Sequence, residues 1–190
     1  MKSSALFAAL FAAATLSLSG CGGVSYGDPN AEETLTTDLG STDVQRLSEK
    51  LTESLRQSPV IQQAISDKTL IVASAVQNKT SEYFDTHLIT DRILTALAKD
   101  GLRYVIESDN MQNQIDELDR QASEYYDQQS TTKIGQMKGA RYRLDGSLSS
   151  IVKKDGRKKD VYYVMNLRLI DIATGIVEWS DEQEIRKTKS

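Results

Sequence analysis

The chain has 190 residues, a formal net charge of −4 at pH 7, and only one cysteine and one histidine. These counts leave room for one globular domain and exclude an internal disulfide and a zinc site built from several Cys and His ligands. A mildly acidic chain has no electrostatic reason to bind nucleic acid, and the composition calls for no metal and no cofactor.

The N-terminus has the pattern of an export signal. Lys2 precedes an apolar run that ends at Leu18, which suits a signal-peptide core and is too short to span a bilayer. Small residues then precede the only cysteine, in the order Leu18-Ser19-Gly20-Cys21. This order resembles the bacterial lipobox, so we expect a signal peptide at 1–20 and a covalent lipid on Cys21. An ordinary secretory signal followed by an unrelated cysteine is the alternative.

The next segment is predicted to be a lipidated flexible tether over residues 21–40, because it is rich in Gly, Asp, Glu and Thr and lacks an apolar period. Two acyl chains already hold a protein stably on a lipid bilayer. Proteobacterial lipoproteins retained on the inner membrane tend to carry Asp after the cysteine. Gly22 in that position therefore resembles an outer-membrane address facing the periplasm. Residues 41–190 are expected to form a single globular domain.

The first predicted elements of the domain are a helix and a buried strand. Thr42 and Gln45 match a capping box, and Pro59 marks the end of the helix or lies just beyond it. Residues 69–76 form a continuous apolar run, which favours a central strand covered on both faces. The apolar residues that recur along one stripe of the helix are Val44, Leu47, Leu51 and Leu55.

A β-α-β unit is completed after a polar loop. A second helix is expected to start at a cap on Asp85 or Thr86 and to stop at Asp100-Gly101. Residues 102–107 then form a second strand, and the crossover between the two strands is expected to be right-handed.

A third helix, capped by Asp109, is predicted next. It has an apolar stripe that we expect to face the core, followed by a break at 127–130 and a short helix near 131–138. The residues of the stripe are Met111, Ile115, Leu118, Ala122 and Tyr125.

The last fifty residues predict strands. A hairpin is centred on Asp155-Gly156, and a second turn occupies Ala173-Thr174-Gly175. The order β-α-β-α-α-β-β-β predicts an α+β (α/β-like) fold with a single mixed β-sheet flanked by helices, resembling the small N-terminal-type domain of TolB.

Motifs of penicillin-recognising serine enzymes occur in the wrong order. The S-x-x-K pattern fits 130–133 and 150–153, but S-D-N at 108–110 precedes both, and no K-T-G follows. His87 lies beside Asp85 at a predicted helix start, where an exposed polar residue is expected. We therefore predict no catalytic residues and no enzyme. An unrecognised enzyme acting on glycan is the alternative, although no acid, base and nucleophile converge.

Short motifs resemble the LpoB family of outer-membrane lipoproteins that activate penicillin-binding proteins. They are the turn at 76–80 (VQNKT), the strand entry at 139–142 (GARY), and the final hairpin with Thr174-Gly175 and Trp179-Ser180. The resemblance covers roughly residues 42–185. It implies a non-catalytic lipoprotein that docks on a bifunctional penicillin-binding protein and stimulates glycan polymerisation and cross-linking. Some relatives have a long Pro-rich tether, whereas here Pro29 is the only proline before the first helix.

Two exposed segments are candidates for binding this partner. Charge reversal at Lys158 and Lys159 is predicted to weaken docking without unfolding the domain, and a monomer is expected. The alternatives are a hairpin tip that is merely solvated, loop aromatics that fill the core, and an assembly or secretion lipoprotein of the TolB or curli-secretion type. The candidates are Asn78, Lys79, Thr80, Glu82, Tyr83 and Phe84 in a loop after the first strand, and Lys153, Lys154, Arg157, Lys158 and Lys159 in the hairpin.

Overall fold

The computed structural model describes residues 26–29, 31–33, 35–105 and 108–190. The predicted signal peptide and Cys21 lie outside the described residues. The chain divides into two units, Met1–Ala31 and Glu32–Ser190. In the first unit, the Ala31 N–H donates a hydrogen bond to the Asp28 carbonyl at 3.0 Å.

The second unit contains the helices and strands described here. The helices are α1 (Ser41–Gln57), α2 (Pro59–Ser66), α3 (His87–Lys99) and α4 (Ser108–Gln121). The strands are β1 (Leu70–Ala73), β2 (Gln77–Lys79), β3 (Arg103–Tyr104), β4 (Tyr142–Asp155), β5 (Lys158–Asp171) and β6 (Val177–Lys189). Among the described residues, no helix combines the length and the apolar character needed to cross a membrane.

The strands form one mixed sheet in the order β3-β1-β4-β5-β6, and β2 pairs with β4 beyond the end of β1. Strands β3, β1 and β4 run parallel, whereas β4, β5 and β6 form an antiparallel meander. This arrangement confirms the predicted α+β class with a single mixed sheet flanked by helices. The observed strand order includes β2, which the sequence analysis placed in a polar loop.

The hydrophobic core lies between one face of the sheet and helices α1 to α3. Along β5, alternate residues from Val161 to Asp171 are buried, and their neighbours are half-buried or exposed. We call the buried side the inner face and the other side the outer face. In β1, Ile71 and Ala73 are buried but Leu70 and Val72 are only half-buried, so the expected cover on both faces of this strand was wrong.

The start of α1 differs from the predicted capping box. Gly40, not Thr42, precedes the helix, and its N–H donates to Asp43 Oδ2 at 2.9 Å. A Cβ on residue 40 would meet the Glu33 carboxylate, which ends a flexible side chain and would have to move aside. Apolar residues of α1 nevertheless pack as predicted, since Leu47, Leu51 and Leu55 are all buried.

The stop after α3 is confirmed. Gly101 has φ +98°, and the Leu102 N–H donates to the Leu97 carbonyl at 3.1 Å. A left-handed residue that closes the last turn is the usual way for a helix to end on glycine. At the other end of α3, the His87 N–H donates to Asp85 Oδ1 at 2.9 Å, so Asp85 supplies the predicted cap.

Two predictions for the region between β3 and β4 were wrong. The predicted apolar stripe does not face the core as a whole: Leu118 is buried and Ile115 is exposed, while Ala122 and Tyr125 are exposed and lie beyond the end of α4 at Gln121. Residues 131–138 form turns and irregular chain without a helix, and Gly135 has φ +84°. Helical spacing alone did not tell a core-facing stripe from an exposed one.

The hairpin between β4 and β5 is one residue further along than predicted. Asp155 pairs with Lys158, so the two central residues of the turn are Gly156 and Arg157. Gly156 has φ +57° and Arg157 does not have positive φ, which is typical of a type II′ turn with glycine first.

Asp171 organises the turn between β5 and β6. Its Oδ1 accepts hydrogen bonds from the N–H groups of Ala173 and Thr174 at 2.9 and 3.1 Å. Burial alone would raise the pKa of the Asp171 carboxyl, but these bonds and the Arg141 guanidinium lower it below its ordinary value. The turn predicted at residues 173–175 is therefore stabilised by hydrogen bonds from its backbone to the Asp171 carboxylate.

Candidate partner-binding surface

Both predicted partner-binding segments lie at the same end of the sheet. Strand β2 runs parallel to β4, with Lys79 beside Ser149. The strand-end loop, Asn78–Phe84, therefore leaves β2 in the direction in which β4 continues to the basic hairpin, Lys153–Lys159. The topology thus brings together two segments that are about seventy residues apart in sequence.

Polar residues of the strand-end loop form hydrogen bonds with one another that fix the shape of the loop. Asn78 Oδ1 accepts from the Thr80 N–H at 2.9 Å, and Asn78 Nδ2 donates to the Glu82 carbonyl at 2.7 Å. The Glu82 N–H in turn donates to Thr80 Oγ1 at 3.1 Å. These bonds give Asn78 and Thr80 a structural reason to be present in the turn at 76–80.

The two aromatic residues of this loop have different surroundings. Phe84 is half-buried and packs against the hydrophobic core, whereas Tyr83 is fully exposed. Lys79 is also exposed. Of the six candidate residues in the loop, Lys79 and Tyr83 are therefore the ones best placed to touch a partner.

Glu82 joins the loop to a segment that we call the strap, Thr36–Gly40. Its Oε2 accepts from the Leu39 N–H at 2.7 Å. Its Oε1 lies within hydrogen-bond distance of the Tyr163 hydroxyl, whose oxygen is also 3.0 Å from the Thr37 carbonyl, so these two acceptors share the one hydroxyl proton. Burial is the main cause of a strongly raised pKa for the Tyr163 phenol, and the bond to Glu82 adds to it, so the hydroxyl remains a donor.

The strap also contacts the base of the basic hairpin. Lys159 Nζ lies 2.8 Å from Asp38 Oδ1, and Lys187 Nζ donates to the Asp38 carbonyl at 2.7 Å. Lys187 forms a further ion pair with Asp43, and both side chains are almost buried. Asp38, Tyr163 and Lys187 were not among the predicted site residues, because no local pattern in the sequence pairs residues so far apart.

The other cations of the basic hairpin are free of such contacts. Lys153, Lys154, Arg157 and Lys158 form no ion pair with any described residue within 4 Å. A groove of about 610 Å³ lies among the hairpin lysines, and Lys189 and Ser190 at the end of β6 also line it. This end of an acidic protein is therefore locally basic and suited to an anionic partner surface.

The serine-enzyme motifs do not form a site. Ser150 and Lys153 are three residues apart in β4, so their side chains point to opposite faces of the sheet. Ser130 lies in a turn, where its Oγ donates to the Asp127 carbonyl at 2.9 Å. Within the described residues, no cluster of three or more His, Cys, Asp or Glu side chains is arranged to hold a metal ion.

The family of the chain follows from a match to the family model described as peptidoglycan-synthase activator LpoB, over residues 43–185. The chain belongs to the LpoB family. The match spans well over half of the 190 residues and includes both the strand-end loop and the basic hairpin. A comparison with curated proteins gave no significant match.

Solved structures with a similar fold include two LpoB domains. The LpoB C-terminal domain from Salmonella enterica has a TM-score of 0.46 and 17% identity over 76% of this chain and 99% of that domain. The domain from Escherichia coli has a TM-score of 0.45 and 15% identity over 75% of this chain and 98% of that domain. A lipoprotein from Neisseria meningitidis has a TM-score of 0.41 and 17% identity over 63% of this chain and 83% of that chain.

Proposed function

We propose that this LpoB-family protein is an outer-membrane lipoprotein that binds a bifunctional penicillin-binding protein and activates it allosterically. The observation that carries the proposal is the family match over residues 43–185, which include strands β1 to β5, most of β6, and nearly all of the helices packed on the sheet. The protein itself catalyses no reaction in this proposal. The predicted lipid on Cys21 would keep the domain at one membrane surface.

Activation by a non-catalytic partner requires that the partner bind one synthase conformation better than another. A coupling free energy of about 1–3 kcal/mol changes an equilibrium by about 5–150-fold, which is within the range of a modest protein interface. The basic hairpin supports this proposal because Lys154, Arg157 and Lys158, which form no ion pair with a described residue, offer a concentrated charge to a complementary acidic surface.

The test is to measure glycan polymerisation and cross-linking by a purified bifunctional penicillin-binding protein, with and without this protein. We expect both rates to rise in a saturable manner, and a pull-down to recover the synthase. The protein incubated alone with the lipid-linked precursor is the control and should form no polymer. Absence of stimulation by every bifunctional synthase of the same cell would contradict the proposal.

A further inference from the structure

A second surface, on the outer face of the sheet, is distinct from the basic hairpin. Strand β1 ends at Ala73 beside Leu144, and β2 starts at Gln77 beside Ser147. Three residues, 74–76, thus face only two, Asp145 and Gly146, which is a β-bulge between β1 and β2. A cleft of about 360 Å³ opens on the outer face at this point, and we call it the outer cleft.

Cations exceed anions in the outer cleft. Lys79, Arg143 and Arg168 line it, and the one carboxylate among its lining residues is that of Asp145. Asp145 Oδ1 lies 3.0 Å from Arg143 Nε, so that pair is neutral as a whole. Lys79 and Arg168 have no ion-pair partner among the described residues, which leaves two uncompensated positive charges in the cleft.

Hydrogen-bond donors are also in excess there. Asn166 Oδ1 accepts from Ser147 Oγ at 3.3 Å, which leaves the Asn166 NH₂ group without a partner among the described residues. Gln77 lines the same cleft, and its side-chain amide is likewise not engaged within the described part of the chain. A ligand that supplies negative charge and carbonyl oxygens would match the free Lys79, Arg168 and Asn166 donors.

We propose that the outer cleft binds the free carboxylate of a short peptidoglycan stem peptide through Lys79 and Arg168. Its volume is at the small end of the 300–1,000 Å³ typical of ligand pockets, so it can admit a few residues and not a folded partner. Its lining is polar, and a stem peptide carries free carboxylates and amide carbonyls with few apolar groups. The choice of this peptide rests on the proposed function, which places the domain within the cell wall.

The test is a titration of the full chain, in detergent, with the synthetic peptide L-Ala-γ-D-Glu-meso-diaminopimelate-D-Ala, followed by NMR or calorimetry. We expect saturable binding that shifts the signals of Asn166 and Arg168. The same peptide with its carboxylates converted to carboxamides should bind at least about tenfold more weakly, because charge-assisted hydrogen bonds are the stronger ones.

Lys79→Gln combined with Arg168→Gln should reduce peptide affinity at least about tenfold, since each change removes one charged donor. Both side chains lie on the surface, so the thermal midpoint should not change. The matched control is Lys50→Gln with Lys99→Gln, which removes the same charge from the helical side and should bind like the wild type.

Equal binding of the carboxamide peptide, equal binding by the Lys79→Gln, Arg168→Gln variant, or no saturable binding by the wild type would each overturn the inference. Loss of synthase stimulation in this variant, without peptide binding by the wild type, would overturn it in favour of a protein interface. Peptide binding is measured without any synthase, so it can succeed although synthase stimulation fails, and the two proposals are tested separately.

Discussion

At the residue scale, Tyr163 connects three parts of the chain. It is a fully buried residue in the middle of β5, yet its hydroxyl reaches the Thr37 carbonyl and the Glu82 carboxylate. Burying a phenol without partners for its hydroxyl is costly. The strap and the strand-end loop supply those partners, so one side chain couples the entry of the domain to a candidate partner-binding loop.

Tyr163→Phe should lower the free energy of unfolding by about 1–3 kcal/mol, because Glu82 then loses a charge-assisted hydrogen bond in a half-buried place. Urea denaturation measures this loss. Tyr83→Phe is the control, since Tyr83 is fully exposed, and it should change stability by less than about 0.5 kcal/mol. Equal midpoints for the two variants would show that the Tyr163 hydroxyl is not needed.

The ion pair between Asp38 and Lys159 is expected to make the stability of the domain depend on pH. The hydrogen bond from Lys159 lowers the pKa of the Asp38 carboxyl below its ordinary value of 3.8. The pKa of the Asp38 carboxyl is lower in the folded state than in the unfolded state. Its contribution to the free energy of unfolding is therefore complete above about pH 5 and is lost as the pH falls through the folded-state pKa. Lys159 and Lys187 are the cations that face this carboxylate.

The stability difference between the wild type and Asp38→Asn should therefore be constant from about pH 7 to 5 and shrink below about pH 4. Denaturation curves at several pH values measure it. Asp155→Asn serves as the control, because Asp155 forms no ion pair with a described residue. A difference that persists undiminished well below pH 3 would exclude a stabilising role for the Asp38 charge.

At the element scale, α3 and α4 have similar apolar patterns but different surroundings. Leu97 of α3 is fully buried, whereas Ile115 of α4 is 38% exposed. Leu97→Ala should cost about 2–5 kcal/mol of unfolding free energy, while Ile115→Ala should cost less than about 1 kcal/mol. Thermal or urea unfolding compares the two directly. A loss for Ile115→Ala as large as for Leu97→Ala would place α4 in the core after all.

Much of the fold was predictable because its signals are local. Apolar residues spaced three or four positions apart predicted α1 and α3, and Gly101 predicted the end of α3. Strand-like segments separated by turn residues predicted the meander of β4 to β6. Strand β2 was not predictable, because its three residues are all exposed and become a strand only by pairing with β4. The pattern of α4 likewise contains no information on what packs against it.

The candidate site was predictable only in part, for the same reason. The basic hairpin was predictable because its signal is local: a glycine suited to a turn is flanked by Lys and Arg residues over 153–159. The Tyr163–Thr37 bond joins residues 126 positions apart, and the Lys187–Asp43 pair joins residues 144 apart. No motif specifies such pairs, and only the folded sheet brings Lys187 of β6 over the start of α1.

At the scale of the whole molecule, the basic hairpin gives the docking prediction. Lys159 is engaged by Asp38, so reversing its charge would disturb the strap as well as any interface. Lys154→Glu with Lys158→Glu avoids this problem, because neither lysine has an ion-pair partner among the described residues. We expect this variant to fold normally and to bind the synthase at least about tenfold more weakly.

Binding measured at two salt concentrations provides a further check, since a charge-driven interface weakens as salt rises. Lys50→Glu with Lys99→Glu is the matched control, because it changes the net charge equally on the helical side. If the two double variants bind the synthase equally well, the hairpin is not the docking surface and its charges serve only solubility.

The ion pairs that precede α1 shorten the chain available between the predicted lipid and the folded body. Ion pairs from Glu32 to Arg46 and from Asp38 to Lys159 fasten the chain to the folded body well before α1 begins. If Cys21 carries the lipid as predicted, eleven residue steps along the chain separate the lipid from the first of these ion pairs, at Glu32. Eleven fully extended residues span at most about 40 Å, so an intact pair at Glu32 sets an upper limit on the distance between the lipid and Arg46.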